Sequence, residues 1–391
     1  MLVKALLPLW IITAILLFLY SFTQVDLSLT LSQASILQQI QKSFQYIGWF
    51  NRSLSTYLYV GLIIWMFSLF VLTLRLAVRE KITSKKMWTI IICLAVILIP
   101  SYNAFSYDLF NYIFDARIVT NYHVSPYEFK PLDFPTDAML SFMRSTHRVY
   151  PYGPTWLGLT VPLTFAANEV FAISLLLFKT LSAAAFIGTA FFIKKIAEKL
   201  KLQNVNLAVI IFALNPLVII ESLVSSHNEI VMMFFMVASI YMLFRNKKIT
   251  SILFLIISIG IKYATAIFAP LFLLRFFSKI SDKRILELAV FLSIFAVIIT
   301  SLASGQNKNP EFQPWYLLLA APFISLYEKR IIRVFYVTIC FFALGSYIPF
   351  LYNGQWPENI VDLKNILLIV GLVSGFLVYF MESRFISKFR G

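Results

Sequence analysis

Acidic residues are scarce in this chain. Its 391 residues include 18 Asp and Glu against 33 Lys and Arg, and charged residues of both signs make up only 13%. A water-soluble domain needs far more polar surface than that to cover its core, so an ordinary globular enzyme is excluded. Cysteine is nearly absent. Cys93 and Cys340 both lie inside apolar runs, where core packing rather than a disulfide accounts for them. Glycine is sparse, with 12 residues and no nucleotide-binding Gly-rich loop among them. No internal repeat is visible. No small-residue cleavage site follows the first apolar run, residues 5–20, which therefore reads as a retained first span rather than a signal peptide.

What remains is apolar. Hydrophobic residues make up 60% of the chain, with 39 Phe and 19 Tyr, in long uncharged runs that recur from end to end. This pattern predicts an all-α, polytopic transmembrane helical bundle. A net charge of +15 in a soluble protein would point to nucleic acid, but here Lys and Arg form short clusters between apolar runs. Orientation of the spans explains them, and no nucleic-acid partner is expected. Placing each cluster on the cytoplasmic side predicts about 11–13 membrane helices with both termini cytoplasmic. One of them, over residues 157–166, is too short to cross a hydrocarbon core of roughly 30 Å and reads as a re-entrant helix. A single integral-membrane domain over 1–391 is expected, with outer loops at 23–56, 103–156, 221–229, 303–314 and 351–362. In the first loop Ile36, Ile40, Phe44 and Ile47 recur near helical spacing, as in an amphipathic helix lying at the interface. Residues 250–274 read as a hairpin, up to Lys262 and back.

The two sides differ chemically. The inner flanks are almost entirely basic, whereas the outer segments hold acids, histidines and aromatics, which points to an outward-facing site. Asp108 and Asp115, seven residues apart, fall on one face of a helix. They fit a general base, or an acid pair positioning a hydroxyl nucleophile. The alternative is surface carboxylates paired with Arg117 or Arg144. A divalent metal is a further option, because Asp108, Asp115, His123 and Glu229 offer oxygen and nitrogen ligands, although no spacing is diagnostic. No other cofactor is expected. His227-Asn228-Glu229 opens a helix whose N-terminus would favour a phosphate, unless these residues and Ser225 or Ser226 merely cap it. Lys262 either meets a lipid phosphate or snorkels. In Gln313-Pro314-Trp315-Tyr316 the proline suits a first helical turn. The aromatics there are either an interfacial belt or a platform for sugar or lipid.

Ser106-Tyr107-Asp108 through Asp115-Ala116-Arg117, then Ser125-Pro126-Tyr127, then Tyr152-Gly153-Pro154 before a short apolar helix, resembles the first outer loop of GT-C superfamily glycosyltransferases. The set is most similar to bacterial polyprenyl-phosphate-mannose-dependent α-mannosyltransferases and, more distantly, to the first mannosyltransferase of GPI-anchor synthesis. His227-Asn228-Glu229 looks like the His-Asn-Asp of the bacterial group. Lys262 followed by Pro270, and Pro314-Trp315-Tyr316 followed by Pro322, are similar to later motifs. The resemblance implies transfer of a hexose, mannose in the bacterial group, from a polyprenyl-phosphate carrier to a hydroxyl of a glycan or glycolipid acceptor at the outer face of the cell membrane. It implies Asp108 as general base, Asp115 as support for the loop or acceptor, and His227, Lys262 and Arg117 as holders of the donor phosphate. Asn228, Glu229, Tyr152, Trp315 and Tyr316 would contact substrate. The chain departs from the pattern at Tyr107, where a second acid is common, at Glu229, usually Asp, and at Ala264, where a Pro-rich turn often follows the lysine. These departures leave metal binding and the sugar open. A transporter or flippase of a lipid-linked glycan would show two related halves, which are absent from the sequence. A glycan polymerase or ligase stays within the same chemistry.

Overall fold

The computed structural model describes residues 2–303 and 311–388. Of the loop expected at 303–314, residues 304–310 lie outside the described residues, as do both chain ends at residue 1 and residues 389–391. Every regular element described is helical. In chain order the α-helices are α1 (Leu2–Phe22), α2 (Ser35–Gln45), α3 (Arg52–Val78), α4 (Ser84–Leu98), α5 (Asp108–Thr120) and α6 (Pro154–Ala166). Then come α7 (Phe171–Lys199), α8 (Val205–Ala213), α9 (Pro216–Ile219), α10 (Glu229–Phe244), α11 (Lys248–Ile261) and α12 (Ala269–Phe277). The last five are α13 (Asp282–Ala303), α14 (Ala321–Leu326), α15 (Arg330–Leu344), α16 (Ile348–Asn353) and α17 (Ile360–Lys388).

Six helical stretches are long and apolar enough to cross a membrane: α1, α3, α7, α13, Arg330–Asn353 and Ile360–Met381. A seventh crossing is available if the bent pair Val205–Ala213 and Pro216–Val224 counts as one. Around these stand shorter apolar helices, among them α10 and α11. The chain is thus a polytopic helical membrane bundle. Its outer surface is greasy where lipid would lie: Phe291, Phe295 and Ile298 on α13, and Ile369, Val373 and Phe376 on α17, are exposed. By contrast α10 is central, with Glu229 and eleven other residues of its sixteen buried. The predicted amphipathic helix is α2, whose Ile36, Leu37 and Ile40 are exposed.

Local sequence sets the breaks that shape one end of the bundle. Asn215 caps α9 by accepting from the Leu217 N–H at 3.0 Å, and Pro216 takes the first helical position, so the apolar run bends there by 56°. The chain then winds into a wide π-helical turn, Ile220–Val224, and reverses through Ser226, whose φ is +48°. The stretch 221–229 is therefore no exposed loop, because every residue in it is buried. Lys262 is extended and ends α11; a 3-10 turn, Tyr263–Phe268, leads into α12. The return is a hairpin, since Arg275 on α12 reaches Asn246 and Lys248 lies over the Phe276 ring. The expected short helix is α6, about 20 Å long at 13 residues. Its start and the end of α11 touch backbone to backbone, with the Gly153 N–H donating to the Ile261 carbonyl at 3.1 Å. A Cβ on Gly153 would fall 2.2 Å from the Gly260 carbonyl oxygen, so only glycine allows this approach.

Candidate active site

Helix α5 carries Asp108 at its first turn. The Ser106 hydroxyl accepts from the Asp108 N–H at 3.1 Å, fixing where the helix begins, and the carboxylate sits where the helix dipole favours negative charge. Leu109, Phe110, Ile113, Phe114 and Ile118 are buried, each contributing roughly 1.5–3 kcal/mol relative to water. That anchors α5 against α6 and α7 and leaves Asp108 one-quarter exposed at the rim.

Three separate segments meet Asp108. His227 Nε2 lies 3.9 Å from Asp108 Oδ2, and on its other side His227 Nδ1 faces Glu221 Oε2 at 3.0 Å. Glu221 is wholly buried, and its second oxygen accepts from the Tyr347 hydroxyl at 2.9 Å. The imidazole stacks on Trp315, ring centroids 4.2 Å apart, so the 3-10 turn Pro314–Leu319 packs directly onto the site. Beside it Lys262 forms a close ion pair with Glu229, with its ammonium 5.6 Å from the Tyr316 ring centroid and 6.0 Å from that of Tyr152. The lysine thus points inward to a carboxylate instead of snorkelling. The structure brings Asp108, His227, Glu229, Lys262, Tyr152, Trp315 and Tyr316 together.

Many buried polar atoms on the segment around His227 have no hydrogen-bond partner among the described residues: both amide atoms of Asn228, the hydroxyls of Ser222, Ser225 and Ser226, and Glu229 Oε2. Buried polar groups are normally satisfied, so a cluster of unpaired ones sets this segment apart as a candidate for contact with a polar ligand. The capping alternative is not realised, since Asn228 stands at the N-cap of α10 without a side-chain hydrogen bond to it.

Asp115 lies two turns along α5 from Asp108, but buried. Burial pushes its carboxyl up to about 7, Arg148 opposes that, and the charge of Asp108 adds to it. Burial works against the Arg148 charge, yet Tyr152, Asp108 and Asp115 together hold its guanidinium pKa above the ordinary value. Arg117 does not join the cluster. Its Nη2 pairs with Asp137 at 3.0 Å, and the same oxygen accepts from the Tyr122 hydroxyl at 2.8 Å, which ties α5 to the long loop that follows it. Arg144 lies over the Tyr107 ring at 4.9 Å, so neither of the two expected arginines pairs with Asp108 or Asp115. The metal option over Asp108, Asp115, His123 and Glu229 is not assembled either: His123 is exposed, and among the described residues no three His, Cys, Asp or Glu side chains converge as ligands. Sequence reasoning missed Glu221, Tyr347 and Arg148. For Glu221 a signal existed, an acid inside the apolar run 216–224, since ionisable residues at membrane depth are functional candidates.

A family model, described as the alpha-(1->6)-mannopyranosyltransferase N-terminal domain of the MptA_B family, matches residues 11–278. The match takes in Asp108, Asp115, His227 and Lys262, and it stops before Trp315. No curated protein and no solved structure matches the chain. With a bundle of apolar helices and this match over more than half its length, the chain is a membrane-bound mannosyltransferase and belongs to the alpha-(1->6)-mannopyranosyltransferase (MptA_B) family.

Proposed function

We propose that the protein moves mannose from a polyprenyl-phosphate carrier to a hydroxyl of a glycan or glycolipid acceptor at the outer face of the cell membrane, with both termini cytoplasmic. Asp108 takes the proton from the acceptor hydroxyl as its oxygen bonds to the anomeric carbon. The bond from that carbon to the phosphate oxygen breaks, and polyprenyl phosphate leaves with the electron pair. Lys262 and His227 face the charge that grows on the leaving phosphate. Asn228 and the serines at 222, 225 and 226 offer hydrogen bonds to sugar hydroxyls, and Trp315, Tyr316 and Tyr152 supply apolar faces for the sugar ring. Arg117 orders the loop through Asp137, and Asp115 with Arg148 supports α5 on the acceptor side. The observation that carries this reading is the meeting of Asp108, His227 and Lys262, from three distant segments, around orphaned buried polar atoms.

The test uses purified protein in vesicles with labelled polyprenyl-phosphate mannose and a mannoside acceptor. Transfer of label is expected, and Asp108→Asn lowers its rate by about 10²- to 10⁴-fold, the range of general-base catalysis. Full transfer by D108N, with flipping of the lipid-linked sugar lost instead, would replace this reading with a flippase.

A further inference from the structure

Lys179 sits in the first third of α7, a stretch long and apolar enough to span a membrane, and its side chain is buried. Among the described residues it forms no ion pair. Instead its Nζ donates to the Ser101 hydroxyl and to the Val224 carbonyl, both at 2.8 Å. An ammonium in that position is costly, and an apolar side chain of the same length would fill the space without the cost. The two acceptors explain what it does. Ser101 stands on the segment that leaves α4 and leads to Asp108. Val224 is the last residue of the π-helical turn that carries Glu221, three residues before His227. Because the chain reverses at Ser226, the Val224 carbonyl has no following helical turn to supply its donor, and the lysine supplies one. Ser101 in turn donates to the Leu98 carbonyl at 2.6 Å, so the clamp is tied to the end of α4.

We infer that Lys179 is a positioning residue for the transfer reaction: it holds Ser101 and Val224 to one ammonium and thereby fixes the separation of Asp108 from His227. It touches neither residue, and it acts through the two backbones that carry them. This inference rests on the functional reading above.

The experiment compares Lys179→Met, similar in length but without a donor, with Ser101→Ala, which removes one anchor and leaves the lysine. Transfer from polyprenyl-phosphate mannose is measured together with thermal unfolding in detergent. For K179M the expected result is a kcat at least 10-fold lower, a donor KM within threefold of wild type, and an unfolding temperature equal or higher. S101A loses about threefold in kcat. In a His227→Ala background K179M has no further effect, because the residue it positions is gone. An unchanged kcat in K179M overturns the inference. So does a loss that merely follows a lower unfolding temperature, or one that multiplies with H227A. If K179M does not reach the membrane, S101A decides: an unchanged kcat overturns the inference. A wild type that transfers no mannose overturns both this inference and the functional reading, whereas equal transfer by wild type and K179M overturns this inference alone.

Discussion

Glu221→Gln is the substitution whose effect the geometry bounds most tightly. Gln keeps the shape, and its amide oxygen still accepts from the Tyr347 hydroxyl. What disappears is the negative charge 3.0 Å from His227 Nδ1. At an effective dielectric constant of about 20, two unit charges at that distance attract by about 5.5 kcal/mol, which is a ceiling. Desolvation of both groups reduces it, and hydrogen bonds to charged groups net about 1.5–3 kcal/mol. If that energy acts when charge builds on the leaving phosphate, kcat falls by about 10- to 150-fold. Folding should not suffer to match, because a buried carboxylate is exchanged for a neutral amide of the same size. The assay is single-turnover transfer of labelled mannose from polyprenyl-phosphate mannose, with thermal unfolding measured on the same preparation. A kcat within twofold of wild type at unchanged stability would show that Glu221 only fills space. Independent, multiplicative losses for E221Q and H227A would show that the carboxylate does not act through the imidazole.

Two further outcomes follow from single contacts. Asp115 binds its proton more tightly when folded than when unfolded, at about 7 against an ordinary 3.8. The stability it contributes is therefore complete below about pH 4 and is lost as pH rises through about 7. Asp115→Asn should flatten the fall in unfolding temperature across that window, and an unaltered slope would refute the buried, acidic environment. Gly153→Ala places a methyl group 2.2 Å from the Gly260 carbonyl oxygen. Forcing α6 and α11 apart should cost about 1–3 kcal/mol of stability. It should also lower transfer, because Lys262 is the residue that follows Ile261. Wild-type values for both unfolding and transfer would refute the tight approach.

Much was legible before any tertiary contact. Apolar runs and basic clusters announced a helical membrane bundle, because lipid accepts only backbones that satisfy their own hydrogen bonds. The short helix expected at 157–166 followed from the length of its apolar run and from the basic cluster after it. The reversal at Lys262 followed from a run flanked by basic residues at both ends. Asp108, His227, Lys262 and Trp315 were visible because each breaks the local composition, an ionisable group or an aromatic-proline step at the edge of an apolar stretch. The roles of Arg117 and of the acid pair were not legible in the same way. Sequence spacing put Asp108 and Asp115 on one helical face, but burial along α5 differs from one turn to the next. One carboxylate ends at the rim and the other beneath it. Which arginine a carboxylate meets depends on how the loop 121–153 folds back, and no periodicity records that.

The amino-acid sequence by itself determined the class of this protein and the short list of polar residues worth attention, since those follow from transfer of side chains and backbone between water and lipid. It overstated the crossings, expecting 11–13 membrane helices where six or seven stretches among the described residues are long and apolar enough. Only the tertiary structure decided which of them share a site. Glu221 and Lys179 look alike in sequence, each a lone charge in an apolar run. One buttresses a histidine and the other clamps a carbonyl, because the bend at Asn215-Pro216 and the π-helical turn after it carry Glu221 to His227 and Val224 to Lys179. Partners brought together across 45 residues of chain, as with Lys179 and Val224, are fixed by packing geometry, which local sequence does not encode.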